Sequence, residues 1–236
     1  MDFFISTKNR TDKEELMDDF SIGGDLLRDT LDKLENINRW LGGNLMTVKA
    51  LKKVLKNHPK EQELTIADIG CGHGDILRDV AKFGRKNGYK MKLIGMDANP
   101  TAIAYANELS TEFPELSFKT EDIFSEAFKN RKFDVVLATL FLHHFKEAQL
   151  TSFLGNTLKQ TKIGIVVNDL HRHKLAYYLF MLLSVFIKNN MIIEDGLTSV
   201  LRGFKRNELV HISKKLKVKP QISWKWAFRF QWILKY

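Results

Sequence analysis

Two apolar runs joined by a glycine-punctuated loop constrain this chain more than any other feature. The first run, residues 64–69, leads into Asp68-Ile69-Gly70-Cys71-Gly72-His73-Gly74. A helical pattern follows, with Ile76, Leu77, Val80, Ala81 and Phe83 on one side. The second run, residues 91–96, ends on Asp97. Strand, glycine loop, helix, strand and terminal acid make a βαβ unit.

The rest of the chain extends that unit. Residues 133–139, FDVVLAT, are continuously apolar, as in a central strand covered on both faces. Further strands are expected over 116–122 and 163–169, with helices between them. Asn99-Pro100 is a good cap and first position for one of these helices; Leu150, Phe153, Leu154 and Leu158 mark another. Alternating strands and helices imply a parallel sheet with right-handed crossovers.

Ahead of the first strand, residues 1–60 read as helical. Leu27, Leu31, Leu34, Asn38 and Leu41 share one helix face, and Gly42-Gly43 ends it. A second helix, over 45–56, carries Leu45, Val48, Leu51 and Leu55 on one stripe. The expected organisation is therefore a helical lid over 1–60 and an α/β domain over 61–236, with an apolar helical insertion near 173–200. Another helix is expected over 205–216. Residues 218–236 alternate strictly, Trp224, Trp226, Phe228, Phe230 and Trp232 against Lys225, Ala227, Arg229 and Gln231, which predicts two hairpin strands.

Composition narrows the class. A chain of 236 residues with one cysteine forms no intrachain disulfide and fits a reducing compartment. The N-terminus turns acidic after a short apolar start and lacks a signal-peptide pattern. The longest apolar run, residues 175–187, is shorter than the roughly 20 residues of a membrane span, so a cytoplasmic protein is expected. The net charge of +9 resides in residues 201–236, which hold ten basic residues and one acid. That excess suits a phosphate-bearing partner or a membrane surface. A solvated face of a terminal helix and edge strands is the favoured reading, because the charges are spread through alternating patterns.

In an open parallel sheet, ligands bind at the carboxyl ends of the strands. Gly70, Gly72 and Gly74 form GxGxG, where a dinucleotide fingerprint requires GxGxxG. Asp68 would repel a pyrophosphate but suits a cationic ligand. Asp97 is placed to accept ribose hydroxyls, and Asp122, with Ile123 beside it, to face an adenine. Three such acids describe a positively charged nucleoside, and S-adenosylmethionine fits.

These motifs, in this order and followed by FDVVLAT running into LFLHHF, resemble the class I S-adenosylmethionine-dependent methyltransferases over residues 60–236. More loosely, residues 37–43 (INRWLGG) and 168–179 (NDLHRHKLAYYL) resemble bacterial quinone-type or small-molecule methylases. The resemblance implies a three-layer Rossmann-like fold, a seven-stranded mostly parallel sheet with a C-terminal antiparallel strand. It implies S-adenosylmethionine as cofactor, bordered by Asp68, Gly70, Cys71, Gly72, Gly74, Asp97, Ala98, Asp122, Ile123 and Thr139. Cys71 reads as a small loop residue, not a nucleophile.

Methyl transfer to a hydroxyl needs a base titrating near neutral pH, typically histidine. His143, His144, His171 and His173 follow the fourth and fifth strands. His144 and His171 are the leading candidates, with Asp169 placed to orient one imidazole. No zinc spacing is present, and a metal is not expected. The acceptor is expected to be a hydrophobic small molecule such as a phenol, quinol or polyketide, covered by the apolar helix after residue 173 and by Phe3, Phe4 and Trp40. Exposure of that helix would instead signal a membrane or partner contact. Nucleic acid is disfavoured as partner, because residues 1–200 are neutral overall. An RNA methyltransferase using the basic C-terminus and a non-catalytic S-adenosylmethionine-binding protein are the alternatives; the chain is expected to be a monomer or homodimer.

Overall fold

The computed structural model describes residues 5–235. Its strands are β1 (Leu64–Ile69), β2 (Met91–Asp97), β3 (Leu116–Thr120), β4 (Phe133–Thr139), β5 (Thr161–Leu170), β6 (Gln221–Lys225) and β7 (Arg229–Leu234). They form one sheet in the order β3-β2-β1-β4-β5-β7-β6. The first five run parallel, and β7 lies antiparallel between β5 and β6. The strand order reverses between β1 and β4, so the loops after these two strands part and leave a crevice at their carboxyl ends.

The helices are α1 (Gly24–Trp40), α2 (Gly43–Val54), α3 (Asp75–Asn87), α4 (Pro100–Leu109), α5 (Glu126–Lys129), α6 (Glu147–Gln160), α7 (Lys174–Ser184), α8 (Asn190–Arg202) and α9 (Arg206–Lys215). One core joins the sheet to α2 and α3 through Leu51, Leu77, Val80 and Leu93. The other joins it to α5, α6 and α9 through Phe128, Phe153, Leu154 and Ile212. The three layers follow from β4, whose FDVVLA is buried on both faces as its unbroken apolar run predicts.

Four features depart from the sequence expectations. Residues 5–23 are not helical apart from a 3-10 turn at Leu16–Asp18; they form an extended strap. Arg172 holds it by donating to the Thr7 and Lys8 carbonyls, and Arg10 by donating to the Arg202 and Phe145 carbonyls. On α2, Met46, Thr47, Ala50 and Leu51 are among the buried positions, whereas Leu45 is 56% exposed; the face turned to β5 and α3 is displaced from the expected stripe. The apolar insertion expected near 173–200 is two helices, because α7 stops at Ser184 and Asn189 caps α8 by accepting from the Ile192 N–H. The alternation over 218–236 does not separate wet from dry. As an interior strand with α2 packed on it, β7 is buried on both faces, Arg229 and Gln231 included.

Phe3 and Phe4 lie outside the described residues, and Trp40 is 76% exposed, so Trp40 closes nothing. Nor is α7 sealed in the core. Among its residues only Ser184 is buried. No helix among the described residues is long and apolar enough to cross a membrane.

Candidate active site

A cavity of about 880 Å³ opens at the carboxyl ends of β1, β2 and β4. Leu27, Leu31, Leu34, Asn38 and Leu41, the face predicted on α1, form one wall. The strap contributes Glu15, Met17, Asp18 and Phe20; α7 and α8 contribute Phe180, Gly196, Ser199 and Val200.

On the donor side the chain turns sharply after β1. Gly70 and Gly72 hold φ of +68° and +51°, conformations that L side chains rarely adopt. A Cβ on Gly70 would lie 2.2 Å from the Phe141 ring, so glycine alone lets the loop after β4 close on the loop after β1. Asp97 fastens the turn: one carboxylate oxygen accepts the Gly72 N–H at 2.9 Å and the other the Asn99 N–H at 2.9 Å. Each oxygen keeps a lone pair for a diol. Burial pushes the Asp97 carboxyl up, its two backbone bonds opposing the shift.

Asp68 is 1% exposed, and its Oδ1 meets no donor among the described residues. Its carboxyl is pushed well up, first by burial and then by the charges of Asp75 and Asp97. A buried acid without a donor, beside two further acids, fits an incoming cation. Ala98, Asp122, Ile123 and Thr139 line the same cavity. Asp122 is exposed and closes its own turn by accepting the Phe124 N–H at 2.9 Å. Cys71 is buried, and its thiol is pushed up by burial and then by Asp97, which excludes a thiolate. Gly74 does not line the cavity; it caps α3 at φ +80°, with the Phe118 ring 2.6 Å from where its Cβ would be.

On the acceptor side two imidazoles lie back to back, the His143 and His144 ring centroids 4.3 Å apart. The His143 Nδ1 lies 2.7 Å from an Asp169 oxygen, so Asp169 does orient an imidazole, though not one of the leading candidates. Asp169 also accepts from the backbone N–H groups of Leu142 and Leu170, at 2.8 and 2.7 Å. It sits behind His143 and outside the cavity lining. The His144 Nδ1 lies 2.6 Å from Asp18 on the strap. A carboxylate only accepts, so each Nδ1 carries a proton, and in the neutral ring each Nε2 keeps a lone pair. The His144 side chain is 22% exposed, against 3% for His143.

His171 is set apart from this cluster. It accepts the Trp224 indole N–H at 3.2 Å and packs 4.8 Å from the Phe230 ring, under the β6–β7 hairpin. Burial, then His173, lowers it to about 4, and it does not line the cavity. The register explains this: β5 runs to Leu170, so the next side chain is turned towards the hairpin.

Sequence reasoning missed Glu15, Asp18 and Arg202. Glu15 is buried, accepts the Ser199 hydroxyl at 2.6 Å, and sits 3.5 Å from the His143 Nε2. Burial first raises its carboxyl to about 7, against the charges of His144 and Arg202. Glu15, His143 and His144 offer ligand atoms within 4.8 Å of one another. The Arg202 guanidinium, 3.6 Å from Glu15 and ion-paired to Asp18, already supplies positive charge there.

Residues 66–164 match the family described as "Methyltransferase domain". A "Ubiquinone biosynthesis O-methyltransferase" of Rickettsia canadensis (strain McKiel) is 28% identical over 141 residues, 58% of this chain and 56% of the relative. The chain thus matches little more than half the length of that curated relative. Among solved structures, the plantazolicin methyltransferase BpumL in complex with SAH has a TM-score of 0.67 at 16% identity, covering 90% of this chain and 91% of that one. Magnesium protoporphyrin IX methyltransferase (ChlM) from Synechocystis PCC 6803 with bound SAM has a TM-score of 0.56 at 12% identity, covering 86% and 84%. The structural likenesses establish the fold; the family match falls on β1 to β5, the strands that carry the donor loop, Asp97 and the imidazole pair. Residues 66–164 thus match a methyltransferase domain, carried on the fold of methyltransferases solved with SAM or SAH bound.

Proposed function

We propose that the protein transfers the methyl group of S-adenosylmethionine to a hydroxyl of a hydrophobic, ring-bearing small molecule of phenol, quinol or polyketide type. The observation that carries this reading is the His144–Asp18 pair set in a cavity walled by the apolar face of α1 and by Phe180. The cofactor supplies an electrophilic methyl group. Asp97 holds its ribose, Asp68 faces its cationic end, and the Phe141-capped turn at Gly70 excludes water around it. His144 takes the acceptor proton at Nε2 while Asp18 holds Nδ1–H; His143, fixed by Asp169, backs the ring. The attacking oxygen has to lie about 3 Å from the methyl carbon and in line with the sulfur. The name of the Rickettsia relative favours oxygen as the methylated atom. The test is turnover of a phenol and quinol panel with labelled donor: a product heavier by one CH2 supports the reading, and donor binding without any turnover counts against it.

The reading extends to how such an acceptor arrives. Leu175, Leu179, Leu182 and Phe186 stand at i, i+4, i+7 and i+11 along and just past α7 and are 43–80% exposed. Lys174 and Lys188 flank them, and no acid occurs from residue 171 to 193. On its inner side the same helix presents Phe180 to the cavity, packed where Gly196 leaves room. An apolar stripe between cations suits an anionic lipid surface. Docking there would set the cavity roof against the bilayer from which a lipophilic acceptor comes.

A further inference from the structure

Arg229 is the buried cation that the reading above does not use. It is the first residue of β7, opposite Leu170 at the end of β5, and it lines the cavity. It is 2% exposed, yet among the described residues its Nε and Nη1 meet no acceptor. Its Nη2 donates to the Asn38 side-chain oxygen at 2.8 Å, a neutral partner. Burial lowers its affinity for its proton, to a pKa of about 10, which leaves it charged at neutral pH.

Its surroundings add positive potential. A Cβ on Gly43 would lie 2.6 Å from the Arg229 Nη1, so the guanidinium rests against the first turn of α2. The N-terminus of a helix carries free N–H groups and the positive end of the dipole. A guanidinium placed there, unpaired and out of water, is strongly destabilising unless an anion joins it. The acid whose charge favours its protonated form is Asp169. Asp169 is already committed to His143 and to three backbone N–H groups. Its neighbours are Asn38 on α1, Gly43 on α2 and Leu170 at the end of β5, the strand whose Asp169 holds His143, so Arg229 belongs to the acceptor half of the cavity.

We infer that Arg229 is the counter-ion of an acceptor that enters as an oxyanion, either a carboxylate beside the methylated hydroxyl or an ionised acidic enol. A fork of two N–H groups matches two oxygens of a planar anion. This rests on the reading of the cavity as a methyl-transfer site. With an ionised enol, an oxygen lone pair forms the new O–CH3 bond and the S–CH3 electrons pass to sulfur. The products are a neutral ether and S-adenosylhomocysteine, and no proton is moved. With a carboxylate, Arg229 fixes the ring and His144 still takes the hydroxyl proton.

The test is calorimetry on the full chain. S-adenosylhomocysteine is titrated first; then 4-hydroxybenzoate, 4-hydroxy-6-methyl-2-pyrone and 4-methylphenol are each titrated into the saturated protein. Failure of the first titration sinks the methyl-transfer reading itself. If it succeeds, the wild type should bind one of the two anions at least ten-fold more tightly than 4-methylphenol, and which anion wins separates carboxylate from enol. Arg229→Met should abolish the preference and leave S-adenosylhomocysteine affinity within about two-fold. Arg229→Lys, which keeps charge but not the fork, should retain part of it and serves if the Met variant misfolds. No anion preference in the wild type overturns the inference. So does an Arg229→Met variant that loses S-adenosylhomocysteine instead, because the guanidinium would then hold the cofactor's own carboxylate.

Discussion

The Nδ1 of His144 lies 2.6 Å from the Asp18 carboxylate, although the two residues are 126 positions apart in the chain. The bond ties the strap to the loop after β4 and fixes the tautomer that leaves Nε2 as a base. His144→Ala should therefore lower kcat by about 10²–10⁴-fold on a neutral phenol. Asp18→Asn, which preserves shape but misorients the ring, should cost less. S-adenosylhomocysteine affinity, read by calorimetry, should stay within about two-fold in both. An unchanged kcat for His144→Ala assigns the base elsewhere, with His143 next in line.

Asp97 secures two backbone N–H groups while keeping lone pairs for a diol. Charged hydrogen bonds contribute about 1.5–3 kcal/mol each. Asp97→Ala should weaken S-adenosylhomocysteine binding by about 10–100-fold. The same variant should bind 5'-methylthioadenosine more weakly by a similar factor, because both ligands present a ribose. Equal affinity of wild type and variant for both would remove Asp97 from the ribose site.

The donor half of this site was legible because its signals are local. The glycines, Asp68 and Asp97 stand within one βαβ unit, and β4 announces its burial by an unbroken apolar run. The acceptor half was not, because its pairs are distant in sequence. Nothing near Glu15 or Asp18 marks them as partners of Ser199, Arg202 or His144, since the strap is held by arginines donating to carbonyls, which leave no residue pattern. The period of two in β7 identified a strand correctly but said nothing of how many faces are covered. Arg229 therefore read as solvent-facing, and only the position of α2 buries it. His171 and His144 looked equivalent as histidines following strands; the hairpin separates them.

Glu15 gives the fold a pH dependence whose sign follows from its raised carboxyl. Its folded value of about 7 lies above the ordinary 4.5, so the folded state binds the proton more tightly than the unfolded chain. The contribution is complete below about pH 4.5 and is lost as pH rises through about 7. Its size is at most about 3 kcal/mol. Urea unfolding at pH 5 and pH 8 should show the wild type losing stability over that range relative to Glu15→Gln, which cannot titrate. A constant difference between the two proteins across the range would dismiss Glu15 as the source.

Gly70→Ala should damage both fold and site. A Cβ would enter the Phe141 ring at 2.2 Å, on a residue whose φ is +68°. Phe141 cannot swing aside cheaply, because its ring packs edge-on to Phe145 with centroids 5.0 Å apart. Left-handed backbone and overpacking together amount to about 3 kcal/mol, or a Tm lower by roughly 6–12 °C. A melting curve reads this directly; a shift under about 2 °C would mean that the two loops do not meet as described.

The stripe on α7 is tested by placing negative charge at its most exposed points. Leu182 and Phe186 are 64% and 80% exposed, so neither supports the core, and Leu182→Glu with Phe186→Glu should leave the melting temperature unchanged. Each buried apolar side chain contributes roughly 1.5–3 kcal/mol to insertion, and each flanking lysine about 1 kcal/mol on an anionic surface. The wild type should therefore cosediment with phosphatidylglycerol vesicles, less so with phosphatidylcholine vesicles and less at high salt, and the double variant should remain in the supernatant. Water-soluble phenols should be turned over equally by both proteins, because they need no bilayer; a long-chain quinol presented in vesicles should be turned over well only by the wild type. If wild type and variant partition alike, the stripe faces something other than lipid. A concentration-dependent dimer that the double substitution abolishes would identify that partner as a second copy of the chain.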